Sequence, residues 1–221
     1  MHVEAKSDHP MTDPEITRQT GRGWAAWFDH VDAIGGRELG RRAVTEALAR
    51  DQGLDPWWSQ TIAVEYEAAR KIHLKDGRPK GYAICVTKTI AAPVGEVFDA
   101  FGQAAPLKAW LGTGATASFT EGGGFSNADG NTGRYIKLAR PKKLRFSWDE
   151  GDPKLVSTVE VTLTPKGDKC GLVLNHERIP SRPLADGLRA AWGGAIERLK
   201  RHLEDDARAE VLPDAFGTVI R

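Results

Sequence analysis

His176 is the ionisable side chain whose position most invites chemistry. It ends the row Leu172, Leu174, His176, in which alternate residues face one way. Parity therefore turns the imidazole toward an interior, where it could donate, accept and titrate near neutral pH. The structural alternative is a strand-end histidine hydrogen-bonded to backbone near Pro180. Glu177 and Arg178 follow it and could form a rim pair of small energetic consequence. Acid–base catalysis would also need a carboxylate within hydrogen-bond reach of a bound substrate. Glu121, Asp129 and Glu160 are the candidates, and strand parity does not clearly aim any of them inward.

Other reactive constellations are missing. No Gly-x-Ser-x-Gly elbow or His-Glu-x-x-His spacing occurs, and no cysteine sits in an evident thiolate-activating context. His202 and Asp206 are four apart on a charged helix end, a spacing more typical of solvent-facing neighbours than of metal ligands. Gly122 to Gly124 lie between strands and not at a strand-to-helix junction, so they read as a turn and not as a phosphate cradle. No catalytic residue, metal site or cofactor is assigned. Cys85 and Cys170 make no disulfide framework, and both are expected to be buried reduced thiols in strands. With 31 basic and 30 acidic residues the net charge is +1, which provides no field to steer nucleic acid. No stretch reaches the roughly 20 apolar residues of a membrane span, and the first residues carry no apolar leader. A soluble protein of the reducing cytoplasm is the expectation.

The elements around His176 follow from hydrophobic period. Tyr82 to Ile90 alternates, with Tyr82, Ile84, Val86 and Ile90 on one face. Ala91-Ala-Pro-Val94 stops that strand, and Val94, Val97, Phe98 and Phe101 continue at helical spacing, with Leu107, Trp110 and Leu111 extending the apolar set. Short strands then recur at 115–120, 124–128, 131–139 and 143–149. Leu144, Phe146 and Trp148 alternate with Lys143, Arg145 and Ser147, as a strand with one wet face requires. Val159, Val161 and Leu163 repeat the pattern before the turn predicted at Thr164-Pro-Lys-Gly-Asp168, and Leu172, Leu174 and His176 repeat it after. Beyond Pro183 the period changes to that of a helix. Leu184, Leu188, Ala191, Trp192, Ala195, Ile196, Leu199 and Leu203 form one stripe over about five to six turns. A curved antiparallel sheet around a long terminal helix is the predicted architecture.

Several stretches in this order carry a family resemblance. They are Thr87-Lys-Thr-Ile-Ala-Ala-Pro-Val-Gly-Glu-Val-Phe-Asp-Ala-Phe101, Gly122-Gly-Gly-Phe125, Lys142-Lys-Leu-Arg-Phe-Ser-Trp148, Ser157-Thr-Val-Glu-Val-Thr-Leu-Thr-Pro165, and Leu174-Asn-His-Glu-Arg-Ile-Pro180 with the Trp192 helix. Together they resemble the SRPBCC (Bet v 1-like, START-like) superfamily, in particular the activator of Hsp90 ATPase homologue 1-like domain, over residues 80–206. The resemblance implies an α+β helix-grip fold. Co-chaperone members of that family carry a further, unrelated domain ahead of this one, and the region before residue 80 does not match it.

That region reads as a small all-α unit over 14–75. Helical patterns run from Trp24 to Ile34, Glu38 to Asp51 and Pro56 to Ile72, separated by Gly35-Gly36 and Gly53-Leu-Asp-Pro56. It resembles a helical domain of unknown function found joined to this SRPBCC type in bacteria. Its four tryptophans are expected to fill a core too small to close with aliphatics. Asp76 to Gly81 is the predicted linker, and residues 207–221 a C-terminal tail.

The functional expectation is a binding protein and not an enzyme. Phe119, Phe125, Tyr135, Phe146, Trp148 and Trp192 would line an apolar cavity between sheet and helix, with His176 and Tyr135 orienting a small hydrophobic ligand. A chaperone-associated interaction protein in the manner of an Hsp90 ATPase activator is the alternative, and cyclase or hydrolase chemistry in the same cavity is less favoured. A protein partner or a second copy of the chain would fit the interaction reading. Neither nucleic acid nor membrane is expected as a partner.

Overall fold

A computed structural model describes residues 1–149 and 156–211. Its elements, in chain order, are α1 (Asp13–Thr20), α2 (Trp24–Ala33), α3 (Gly36–Gln52), α4 (Pro56–Ala69), β1 (Tyr82–Ile90), α5 (Val94–Asp99), α6 (Ala104–Leu111), β2 (Thr116–Ala117), β3 (Gly124–Ser126), β4 (Thr132–Ala139), β5 (Lys143–Trp148), β6 (Ser157–Lys166), β7 (Lys169–Ile179) and α7 (Arg182–Val211). The seven strands form one sheet in the order β1-β7-β6-β5-β4-β3-β2, and the β2–β3, β3–β4, β4–β5 and β5–β6 pairs are antiparallel. This is the α+β helix-grip architecture that the periodicity and the resemblance predict.

Local physics accounts for the boundaries. In β5 the buried residues are Leu144, Phe146 and Trp148, and in β6 they are Ser157, Val159, Val161 and Leu163. The register pairs Phe146 with Val159 and Trp148 with Ser157, so both rows face the same way. β6 runs three residues further than its pattern suggests, to Lys166, and the turn needs only Gly167, at φ 65, with Asp168. A register shift between Tyr135 and Lys137 bulges β4 and leaves Ile136 exposed, while Tyr135 points in. The helix predicted after β1 is two short helices, α5 and α6, because Gly102 breaks the run and Phe119 occupies the space that a Cβ there would need.

Two compact units can be distinguished. The first joins Met1–Glu4, Ala83–His176 and the α7 residues from Gly187 onward. It contains the sheet and the main run of the terminal helix, whose Leu188, Trp192, Ala195, Ile196, Leu199 and Leu203 are buried. The second joins Ala5–Tyr82 with Glu177–Asp186. Its core is Ile16, Trp27, Val31, Val44, Leu48, Trp58, Ile62, Ala63 and Tyr66, with Trp24 and Trp57 packed against it partly exposed. Two of its four tryptophans thus fill the core outright, and the other two cover it.

The helical unit adds an element that periodicity missed. α1 has one deeply buried apolar residue, Ile16, too few to make a stripe, yet it is started by Thr12, whose hydroxyl accepts from the Glu15 amide at 3.4 Å, and by Pro14 in its first turn. The predicted second helix is α3, kinked at Gly40, where φ is 78. α4 begins on an Asp55 cap that accepts from the Trp58 amide at 2.9 Å. α7 continues to Val211, and residues 212–221, the rest of the expected tail, lie outside the described residues.

Candidate functional site

The sheet unit gathers the predicted aromatics into one continuous cluster. Trp192 of α7 lies 4.9 Å from Trp148, 6.3 Å from Phe146 and 5.8 Å from Trp110, ring centre to ring centre. Phe125 of β3 touches Tyr135, Phe146 and Trp148 at 5.5 to 5.9 Å. Phe119 reaches Tyr135 at 5.0 Å and Phe98 at 5.6 Å. Six of the seven predicted residues, Phe125, Tyr135, Phe146, Trp148, His176 and Trp192, are buried, and Phe119 is half-buried at the margin. Phe125 also borders an open depression of about 460 Å³, lined in addition by Gly124, Thr132, Gly133, Arg134, Ser147, Asp149 and Val156.

The hydrogen bonds of His176 fix its chemistry. Its Nδ1 accepts the indole N–H of Trp192 at 3.0 Å, and its Nε2 lies 2.6 Å from the Ser157 hydroxyl. An indole nitrogen can only donate, so Nδ1 must hold a lone pair. The proton of the neutral ring then sits on Nε2 and is donated to Ser157 Oγ. Ser157 in turn donates to the Trp148 carbonyl at 3.1 Å. The chain Trp192 → His176 → Ser157 → Trp148 is satisfied at every link.

Two consequences follow for reactivity. Ser157 is not activated as a nucleophile, because the imidazole donates to its oxygen instead of accepting its proton. Burial without a facing carboxylate pushes the His176 pKa down to about 3, so the ring stays neutral at physiological pH. It acts as a link between strand β7 and helix α7, and both of its nitrogens are already engaged. The backbone contact near Pro180 is replaced by these side-chain partners. Tyr135 is engaged likewise: its hydroxyl donates to the Phe101 carbonyl at 2.6 Å, and burial raises its pKa.

The remaining polar candidates go elsewhere. Glu121 pairs with Lys137 at 3.1 Å and accepts from the Leu138 amide, Glu160 pairs with Lys143 at 2.9 Å, and Asp129 is held by the amino group of Met1 at 2.8 Å. Arg178, in the left-handed region at φ 64, pairs with Asp76 at 2.7 Å and so makes no rim pair with Glu177. Cys85 is exposed, contrary to the burial expected of it, since it falls on the solvent side of β1, whereas Cys170 is buried. His202 is half-buried, and the Asp206 side chain lies outside the described residues. Among the described residues no group of three or more His, Cys, Asp or Glu could hold a metal ion, and no helix is long and apolar enough to cross a membrane. Sequence reasoning missed Ser157 and Trp110, whose indole donates to the Ala100 carbonyl at 3.0 Å. The register of Ser157 opposite Trp148 was its only signal, and that appears once β5 and β6 are paired.

This geometry sits within a stretch, residues 91–204, that matches the model for activator of Hsp90 ATPase homolog 1-like proteins. The chain belongs to that family. The solution structure of CalU16 from Micromonospora echinospora is similar at 25% identity with a TM-score of 0.51, covering 61% of this chain and 71% of that one. A crystal structure of CalU16 matches at 26% identity and a TM-score of 0.49, covering 57% of this chain and 79% of that one. The Aha1 dimer from Colwellia psychrerythraea shares the fold at 16% identity and a TM-score of 0.51, over 56% of this chain and 96% of that one. No curated protein matches the chain. The Hsp90-activator-like match thus spans the strands and helices that build the aromatic cluster, from Ala91 to Glu204, and leaves helices α1 to α4 outside it.

Proposed function

We propose that the Hsp90-activator-like domain is a non-catalytic binding module that holds a small hydrophobic ligand between the concave face of the sheet and α7. The observation that carries this reading is the internal saturation of its polar groups. His176, Ser157, Tyr135 and Trp110 all spend their hydrogen bonds on protein partners. What is left for a ligand is apolar aromatic wall, and among the described residues the acid and base candidates Glu121, Asp129, Glu160 and His176 are all engaged elsewhere. Phe125, Phe146, Trp148 and Trp192 would form the wall, half-buried Phe119 the entrance, and His176 would act by holding Trp192 in place. Tyr135 would contribute its ring and not its hydroxyl. An exposed free thiol at Cys85 fits a reducing cytoplasmic setting.

Native mass spectrometry of the protein purified from its host, compared with the same sample after denaturation, tests this reading. A bound mass lost on unfolding, and reduced in Trp192→Ala, is expected. An apo mass together with no uptake of any hydrophobic probe at saturating concentration would overturn it.

A second reading is favoured by the family match itself: a chaperone-associated interaction protein. Its test is the ATPase turnover of Hsp90 with the purified full chain added. Stimulation would support it, and unchanged turnover alongside a retained small molecule would leave the binding module as the function.

A further inference from the structure

Gly193 and Gly194 stand in the interior of α7, which runs without a break from Arg182 to Val211. Glycine leaves the backbone freer than any other residue would, and apart from proline it is the poorest helix former. Nothing in the surroundings of these two demands it. A Cβ on Gly193 would meet no atom within 4 Å outside the helix's own backbone, and one on Gly194 would meet the end of the Arg198 side chain at 3.4 Å. Neither residue has a positive φ. Two adjacent glycines that neither close packing nor backbone conformation requires make a soft point in the helix, of the kind at which helices kink.

The two sides of this point are held differently. On the C-terminal side Arg198 donates to the Ala109 carbonyl at 3.1 Å and to the Trp110 carbonyl at 2.9 Å. Glu197 pairs with Lys88 at 2.7 Å, and Glu204 accepts from the Ala91 amide at 2.8 Å. Leu199 and Leu203 are buried there as well. From Gly187 to Trp192, by contrast, one side-chain hydrogen bond is made among the described residues, the 3.0 Å bond from Trp192 to His176. The large side chains that this segment buries are Leu188 and Trp192.

Trp192 is also what closes the aromatic cluster. Its ring centre lies 4.9 Å from that of Trp148, 5.8 Å from Trp110 and 6.3 Å from Phe146, the separations of rings in contact. Space for a molecule between β5 and α7 therefore opens when Trp192 moves away. We propose that α7 bends at Gly193 and Gly194 and swings Gly187 to Trp192 off the sheet, with Leu199 to Leu203 left in place, and that this motion is the gate of the ligand site. The gate rests on the binding function proposed for that site, whereas the hinge does not.

Amide hydrogen exchange of the full chain measures the hinge without a ligand. In wild type the amides of Leu188 to Trp192 should exchange faster than those of Leu199 to Leu203 by about tenfold or more. The double variant Gly193→Ala, Gly194→Ala should slow the first group about tenfold and leave the second unchanged. Gly193→Ala alone, which does not approach Arg198, should slow it about threefold. Stopped-flow fluorescence with Nile red then measures the gate, and uptake should slow about tenfold in the double variant. Equal exchange of the two segments in wild type would overturn the hinge, as would slowing in the variants that is absent or spread evenly along α7. Nile red uptake that the alanines do not slow would overturn the gate. No uptake by wild type, with the exchange pattern as expected, would overturn the binding function and the gate with it, and leave the hinge standing.

Discussion

The indole of Trp192 donates to Nδ1 of His176 across 3.0 Å, so a residue of the terminal helix dictates the tautomer of a residue on the last strand. With Nδ1 occupied, the Nε2 proton is directed onto Ser157, and the arrangement that looks at first like a serine–histidine dyad is held in the unreactive sense. The side chain that most invited chemistry is thus a structural tie, and its behaviour can be measured as one.

Acidification should weaken the fold through His176. Its pKa is about 3 in the native protein and about 6.5 in an unfolded chain. Above pH 6.5 neither state binds the proton and the full stability is present. Between pH 6.5 and 3 the unfolded state binds it and the native state does not, so stability falls as pH falls, by up to about 1.4 kcal/mol per pH unit. Urea unfolding of wild type and His176→Gln across this range measures it. Wild type should lose stability relative to the variant toward low pH, and a pH-independent difference would show that the ring is not buried neutral.

Replacing Trp192 with Phe keeps an aromatic ring against Trp148 but removes the N–H, leaving Nδ1 buried without a donor. The expected cost is about 1–3 kcal/mol. In a double-mutant cycle with His176→Gln the two losses should be less than additive, because both act on one hydrogen-bond chain. Strict additivity would dissolve the proposed coupling.

Gly133 lies where the Phe125 ring crosses β4, and a Cβ there would overlap both that ring and the Ser147 carbonyl. Gly133→Ala should cost about 2–4 kcal/mol through overpacking. Gly130→Ala, where nothing crowds the added carbon, is a useful comparison: its φ of 84 strains any side chain, so it tests backbone strain without steric overlap. Thermal denaturation of both variants should rank Gly133→Ala as the more damaging.

The two cysteines should react in sequence with a thiol reagent. Cys85 is exposed on the outer face of β1, whereas burial raises the pKa of Cys170 and shields it. One equivalent of thiol should titrate in the native protein and the second only in denaturant. Two rapid equivalents would contradict the burial of Cys170.

Period and punctuation made the strands legible. Leu144, Phe146 and Trp148 alternate cleanly because β5 has one dry face, and the stripe from Leu188 to Leu203 follows helical period because Trp192 packs against that same face. Short or irregular elements were harder to read. α1 has a cap but no stripe, and the β4 bulge shifts parity at Ile136. Parity placed Cys85 opposite the Tyr82 and Ile84 face, and the burial expected of it as a strand cysteine was the part that failed. The seven proposed site residues were legible as bulky side chains at inward positions, but their hydrogen bonds were not.

The residue types and their spacing alone determined that a seven-stranded sheet would curl around a long amphipathic helix, because hydrophobic period is local and survives without knowledge of neighbours. They also determined that His176 would face inward. Whether it would be a base, a ligand anchor or a tie depended on Trp192, sixteen residues away on a helix, and Ser157, nineteen residues away on the adjoining strand. Only the tertiary structure brings those three together, and protonation in a buried site is decided by which donors and acceptors meet there and by the loss of water around them.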